Sequence, residues 1–151
     1  MTLKKFEEFE ARGIVKRQMP NKKRAVSLIE ESEKKKEFLE LLMKTIPFEK
    51  MSPNFIVESC YDIILELIRA KMFLGGYNSG NSHEAEVVYM LKLGFNESEV
   101  RIMDELRYFR NGIKYYGTLL NKEYAEKTLN FMNSILPKLK KLIKKEKSKK
   151  K

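Results

Sequence analysis

Residues 105–117 hold the densest group of side chains suited to chemistry: Glu105, Arg107, Tyr108, Arg110, Asn111, Lys114, Tyr115 and Tyr116, with Gly112 among them and Gly117 after them. Guanidinium and ammonium groups bind phosphate oxygens, arginine through a planar fork and lysine as a point charge. An asparagine amide donates and accepts hydrogen bonds, and a tyrosine ring stacks on a base or donates through its hydroxyl. Core packing accounts for Phe109 and Ile113 but gives no reason for Arg110-Asn111 followed by Gly112. At 100° per residue Arg110 and Lys114 fall about 40° apart on a helix, whereas Arg110 and Tyr115 fall about 140° apart. The second pair converges only if the helix breaks near Gly112 or if one member comes from a second subunit.

Other constellations read more simply. No Walker loop, dinucleotide-binding glycine fingerprint or zinc pattern occurs. His83 is the single histidine and has only carboxylates such as Glu84 and Glu86 beside it. A metal site needs several converging ligands, so a helix-start histidine making one hydrogen bond is the plainer reading. Asp62 and Glu66 lie one helical turn apart and could share acid–base work. They read more simply as a polar stripe paired with arginines of a neighbouring helix. Cys60 stands alone, which excludes an internal disulfide and a multi-cysteine metal site. No cofactor and no metal are expected.

The elements that must position these groups are helical throughout. A chain of 151 residues is one domain's worth, and no segment shows sustained strand alternation. A short helix over 3–12 ends at Gly13. A second starts near Pro20 and runs to Thr45, with Val26, Leu28, Ile29, Phe38, Leu41 and Leu42 as its apolar face. Ser52 caps a third, with Pro53 in its first turn. This helix is apolar nearly all round to Leu74 and is expected at the centre. After a glycine-rich loop, Ser82 caps a fourth that ends at Gly94, and Asn96 caps a fifth. In the fifth, Ile102, Leu106, Phe109, Ile113 and Tyr116 face the core, Gly112 interrupts the helix and Gly117 ends it. A last helix follows Asn121, kinked by Pro137. Long helices with short connections predict an all-α antiparallel bundle of about five to six helices.

Charge is unevenly spread. The chain carries +10, and residues 138–151 contribute nine lysines and one glutamate, or +8, which leaves 10 − 8 = +2 for the rest. The pI thus mostly describes a tail, read as a fraying helix end that adds salt-sensitive attraction to phosphates. The expected division is a helical domain over 1–142 and a Lys-rich tail over 143–151. No apolar run of about 18 residues predicts a membrane span, and the start has no signal-peptide character. A cytoplasmic location is expected.

The segment Arg110-Asn111-Gly112-Ile113-Lys114-Tyr115-Tyr116-Gly117, together with Glu105, Tyr61-Asp62-Ile63-Ile64 and Ser82-His83-Glu84-Ala85, resembles the HEPN family, in particular a compact archaeal branch of it. The resemblance covers roughly residues 10–142. Its hallmark is Arg followed after four to six residues by His, often as Arg-Asn-x-x-x-His, with a longer form Glu-x-x-x-Lys-Arg-x(4–6)-His. Glu105 and Arg110-Asn111 match. Phe109 replaces the lysine of the longer form, and Tyr115 stands where the histidine belongs.

The resemblance implies a metal-independent ribonuclease site, in which arginine steadies the phosphate and histidine assists attack by the 2′-hydroxyl, usually completed across a homodimer. Tyrosine, with a reference pKa near 10, is only about one part in a thousand ionised at pH 7 and is a poor general base. The expected protein is therefore a non-catalytic or weakly active module binding nucleotide or RNA. Arg107, Arg110 and Lys114 contact phosphate, Asn111 orients, Tyr115 or Tyr116 stacks or hydrogen-bonds, and Glu105 holds the arginines. One alternative is a ribonuclease using Arg110 with Tyr115, or with His83 in the histidine's place. Another is a protein partner of a minimal nucleotidyltransferase in a toxin–antitoxin-like pair.

Overall fold

A computed structural model of the chain describes the backbone of residues 3–149 and the side chains of residues 3–146. Six α-helices form the described residues into an all-α bundle: α1 (Phe6–Ala11), α2 (Lys22–Thr45), α3 (Pro53–Leu74), α4 (His83–Lys92), α5 (Glu97–Tyr116) and α6 (Lys122–Lys149). A 3-10 turn over Phe48–Lys50 joins α2 to α3.

The centre is α3. Ser52 accepts from the Phe55 amide and Pro53 takes the first helical position, so two orphan donors cost nothing at that end. Fourteen of the nineteen residues from Ile56 to Leu74 are buried, because α2, α6, α4 and α5 all pack around the helix. The start of α2 meets the end of α3, where the Asn21 amide donates to the Phe73 carbonyl at 3.0 Å, so these two helices run antiparallel. Asn54 near the start of α3 bonds Thr118 and Leu120, just ahead of α6, while Lys71 near its end pairs with Glu146 of α6. Helices α3 and α6 therefore run in the same direction, which corrects the expected antiparallel packing for this pair; α3 and α6 are not consecutive in the chain, so no short connection forces them to alternate. Asp62 of α3 meets Arg110 of α5 at 3.4 Å, and Tyr124 of α6 meets Glu105 of α5.

Some expectations are corrected. Helix α2 begins at Lys22, two residues after Pro20, because the Asn21 side chain caps it by accepting from the Arg24 amide. Its buried line is Ala25, Ser32 and Leu39, and Phe38 and Leu41 are exposed. Both lie about 100° or more around the helix from Leu39. One antiparallel pairing of two residues exists, β1 (Lys16–Arg17) with β2 (Tyr77–Asn78), too short to leave an alternating pattern. Helix α6 passes through Pro137 and stays helical to Lys149. Ile143 is buried, so the expected tail begins inside the bundle rather than as a fraying end. Lys150 and Lys151 lie outside the described residues.

Candidate functional site

Helix α5 carries the site. Asn96 and Glu99 form a reciprocal capping box at its start, and Glu97 and Glu99 sit where the helix dipole favours anions. The helix is unbroken from Glu97 to Tyr116, so Gly112 does not interrupt it as the sequence suggested. Gly112 is there for a close approach instead: a Cβ would lie 2.7 Å from Thr118 Oγ1. The chain reverses at Gly117, whose φ of 66° is left-handed, and the Thr118 amide returns to the Gly112 carbonyl at 3.2 Å, closing the helix end.

An unbroken helix fixes what meets what. Arg107, Arg110 and Lys114 share one face, Tyr108 and Tyr115 the adjacent one, and Asn111 lies on the border between them. Arg110 and Tyr115 of one chain do not converge. Arg107 Nε donates to Asp104 at 2.8 Å, and its Nη2 lies 3.6 Å from Glu84. Arg110 is less well held. Its Nη2 is 3.4 Å from Asp62 Oδ1, its guanidinium lies 6.0 Å from the Tyr61 ring centroid, and its Nε is buried with no hydrogen-bond partner among the described residues. The Tyr61 hydroxyl is likewise buried and unpartnered, and burial raises its pKa. Lys114 is exposed, with its ammonium 5.4 Å from the Tyr115 ring centroid.

On the neighbouring face Tyr108, Tyr115 and Tyr116 are 69%, 65% and 85% exposed. Tyr116 was expected in the core, but it lies in the last turn, beyond the helices that would cover it. With Asn111, Gly112 and Thr118 these rings line an open cavity of about 620 Å³. Glu105 does not hold the arginines. It accepts from the Tyr124 hydroxyl at 2.8 Å, and Asp62, Glu84 and Asp104 take the role assigned to it. Asp62 does pair with an arginine, Arg110, whereas Glu66 pairs with Lys35. Burial pushes the Glu66 carboxyl up, against the opposing pull of Lys35.

Beside these arginines lies a group that sequence reasoning missed. Glu86 is fully buried, at 0% exposure. Arg69 grips it from α3 through Nε at 2.5 Å and Nη2 at 3.0 Å. Ser79 donates at 2.8 Å, and His83 Nδ1 lies 2.9 Å from Oε1. Burial alone would raise this carboxyl, but the hydrogen bonds from His83 and Arg69 and the arginine charge outweigh it, so its pKa is lowered. In its Nδ1–H tautomer His83 donates to Glu86 and leaves Nε2, on the far side of a part-exposed ring, as an acceptor; Arg69 Nη2 also lies 3.4 Å from Nδ1. One signal was available: an acid inside the apolar run from Ala85 to Met90. Among the described residues no group of three or more His, Cys, Asp or Glu side chains is placed to hold a metal ion.

A separate groove of about 420 Å³ between α2 and α6 is lined by Leu39, Met43, Phe48, Leu129 and Met132, with Glu40 and Glu126 beside them. It offers no cation for phosphate. Compared with known proteins, the chain matches no family model, no curated protein and no solved structure.

Proposed function

We propose that the chain is a HEPN-like module that binds the phosphate of a nucleotide or single-stranded RNA on the α5 face, with little or no catalytic activity. The observation that carries this reading is Arg110. It is a largely buried guanidinium with an orphan Nε and only a long contact to Asp62, so an incoming phosphate gives it better hydrogen bonds than it has. Arg107 and Lys114 add charge on the same face. Tyr108 and Tyr115 offer rings on which bases stack, with Asn111 between phosphate and base. Arg110 and Tyr115 lie about 140° apart on one unbroken helix, so the homodimer that the resemblance implies is the arrangement in which they could meet. The test is single-turnover cleavage and binding of labelled single-stranded RNA by wild type and Arg110→Ala. Binding without cleavage, weakened at least tenfold in the variant, is the expected result. Neither binding nor cleavage would overturn the reading and favour a protein partner, for which exposed Phe38 and Leu41 on α2 are an available apolar surface.

One observation favours a second reading, a metal-independent ribonuclease. A buried carboxylate fixing the Nδ1 side of a part-exposed histidine is an arrangement suited to a general base. In this reading His83, rather than Tyr115, receives the 2′-hydroxyl proton. RNA cleavage abolished by His83→Gln and by Arg110→Ala but kept in Tyr115→Phe would establish it in place of the first.

A further inference from the structure

Three acid-free stretches of the chain meet at one end of the bundle. Residues 11–29, 67–82 and 127–145 contain no Asp or Glu. The first includes Lys16, Arg17, Lys22, Lys23 and Arg24, and the last includes Lys140, Lys141, Lys144 and Lys145. They lie far apart in sequence, and the fold ties them together. The Asn21 amide bonds the Phe73 carbonyl and the Gln18 amide the Gly76 carbonyl, at 3.0 and 2.8 Å. Arg17 pairs with Tyr77 across the short ribbon. Lys71 at the end of α3 is joined to Glu146 of α6 at 3.0 Å, and Ile29, Glu33, Leu67, Lys140 and Lys144 line one shallow groove.

Stability does not explain this gathering of charge. Lysines at the end of α6 suit its dipole, but Lys22, Lys23 and Arg24 occupy the first turn of α2, where no acid sits and where the dipole disfavours cations. None of Lys22, Lys23 and Arg24 forms an ion pair among the described residues, nor do Lys140, Lys141, Lys144 and Lys145. Of the acids nearby, Glu146 is engaged with Lys71 and Glu10 with Arg17; Glu31, beside Lys23 and Arg24, and Glu33, in the groove with Lys140 and Lys144, form no ion pair with them and leave the cations in excess. Arg24 gains a cation–π contact over Phe73 at 4.6 Å, but Lys22 and Lys23 break the local rule with no ion pair to offset it, which points to something outside the fold.

We propose that this basic pole binds the phosphate backbone of a nucleic-acid duplex without reading its sequence. Among the described residues the pole offers no free ring for stacking single-stranded bases: Phe73 is buried, and Tyr77 packs against Phe6 and Tyr89, with centroids at 5.3 and 5.6 Å. A surface of cations without aromatic platforms fits a helix whose phosphates are all on the outside. An anionic membrane is the weaker match. A helix lying on a bilayer must bury an apolar face in it, whereas Leu139 and Ile143 of α6 are buried in the bundle and Met19 is a lone exposed apolar side chain beside the cations. The inference is independent of the α5 site.

The test is anisotropy titration of labelled RNA and DNA duplexes of equal length by the full chain across a KCl series, with phosphatidylserine vesicles in parallel. Two variants from different segments guard against a folding defect: Lys140→Gln/Lys141→Gln/Lys144→Gln/Lys145→Gln and Lys22→Gln/Lys23→Gln/Arg24→Gln, each checked by circular dichroism. Log affinity should fall with log salt by about 0.9 per phosphate neutralised, and the fourfold variant should bind roughly a hundredfold more weakly near 0.1 M KCl with a shallower slope. Equal loss for both duplexes would mark backbone recognition; loss for one alone would replace it with recognition of that duplex's form. Duplex binding that is absent, or unchanged in both variants, would overturn the proposal, as would vesicle binding in its place.

Discussion

The α5 face and the basic pole are both cationic, yet they are built in opposite ways. On α5 each arginine has an acid within reach, Asp104 and Glu84 for Arg107 and Asp62 for Arg110, and exposed tyrosines flank them. At the pole Lys22, Lys23, Lys140, Lys141, Lys144 and Lys145 form no ion pair among the described residues, and the nearby rings Phe73 and Tyr77 are packed into the fold. Paired arginines are held in place and present a directed fork at a few positions. Unpaired lysines present diffuse charge that any polyanion satisfies. Net charge alone therefore does not distinguish a positioned site from an electrostatic surface; the acids around the cations do.

That contrast breaks most readily at Glu86. Its removal leaves the part-buried Arg69 without its carboxylate partner, so Glu86→Ala should cost about 3 kcal/mol in urea unfolding. It should also disturb the first turn of α4, which carries Glu84 to Arg107, and so weaken single-strand binding on α5 while leaving duplex binding at the pole intact. Equal loss at both surfaces in the folded variant would show that the two are not independently built. Stacking comes next: Tyr115→Ala or Tyr108→Ala should lose about 1–3 kcal/mol of single-strand affinity per base released, with no change for duplex.

Acid should sharpen the same difference. Because the folded-state pKa of Glu86 is lowered, its contribution is present above the ordinary carboxylate range and is lost as pH falls through the folded value. Wild type should therefore lose stability more steeply than Glu86→Gln as pH is lowered from 6 towards 3, the gap between them narrowing. Parallel curves in chemical denaturation would contradict this. At Gly117, alanine in a left-handed backbone should cost about 1 kcal/mol and loosen the Tyr115–Tyr116 end. The smallest effect is expected for Tyr124→Phe, which gives up one part-exposed hydrogen bond to Glu105, about 0.5–1.5 kcal/mol.

The helices were legible because their signals are local. Ser52-Pro53, Ser82 and Asn96 cap where their types say they should, and the all-round apolarity of α3 marks it as central. Asn21 displaced Pro20 as the start of α2 because a cap that accepts a backbone proton outweighs a residue that merely lacks one. Gly112 misled because glycine weakens a helix in isolation, whereas its need here is the space for Thr118. That Asp62 pairs with an arginine of a neighbouring helix was legible, but that the arginine is Arg110, and that Glu84 reaches Arg107, was not, since only tertiary structure brings these acids to α5. Glu105 is adjacent in sequence but points to Tyr124. The basic pole was read as a tail because its second half, residues 12–24, lies more than a hundred residues away in the chain.

The most direct test is the affinity of labelled single-stranded RNA for three proteins at one salt concentration: wild type, Arg110→Ala, and the fourfold Lys→Gln variant of α6. Arg110→Ala should weaken single-strand binding at least tenfold, whereas the lysine variant, which removes only diffuse charge, should weaken it less and should lose affinity mainly for a duplex measured alongside. Loss of single-strand binding in the lysine variant with none in Arg110→Ala would contradict the account, because the α5 face would then be no phosphate site.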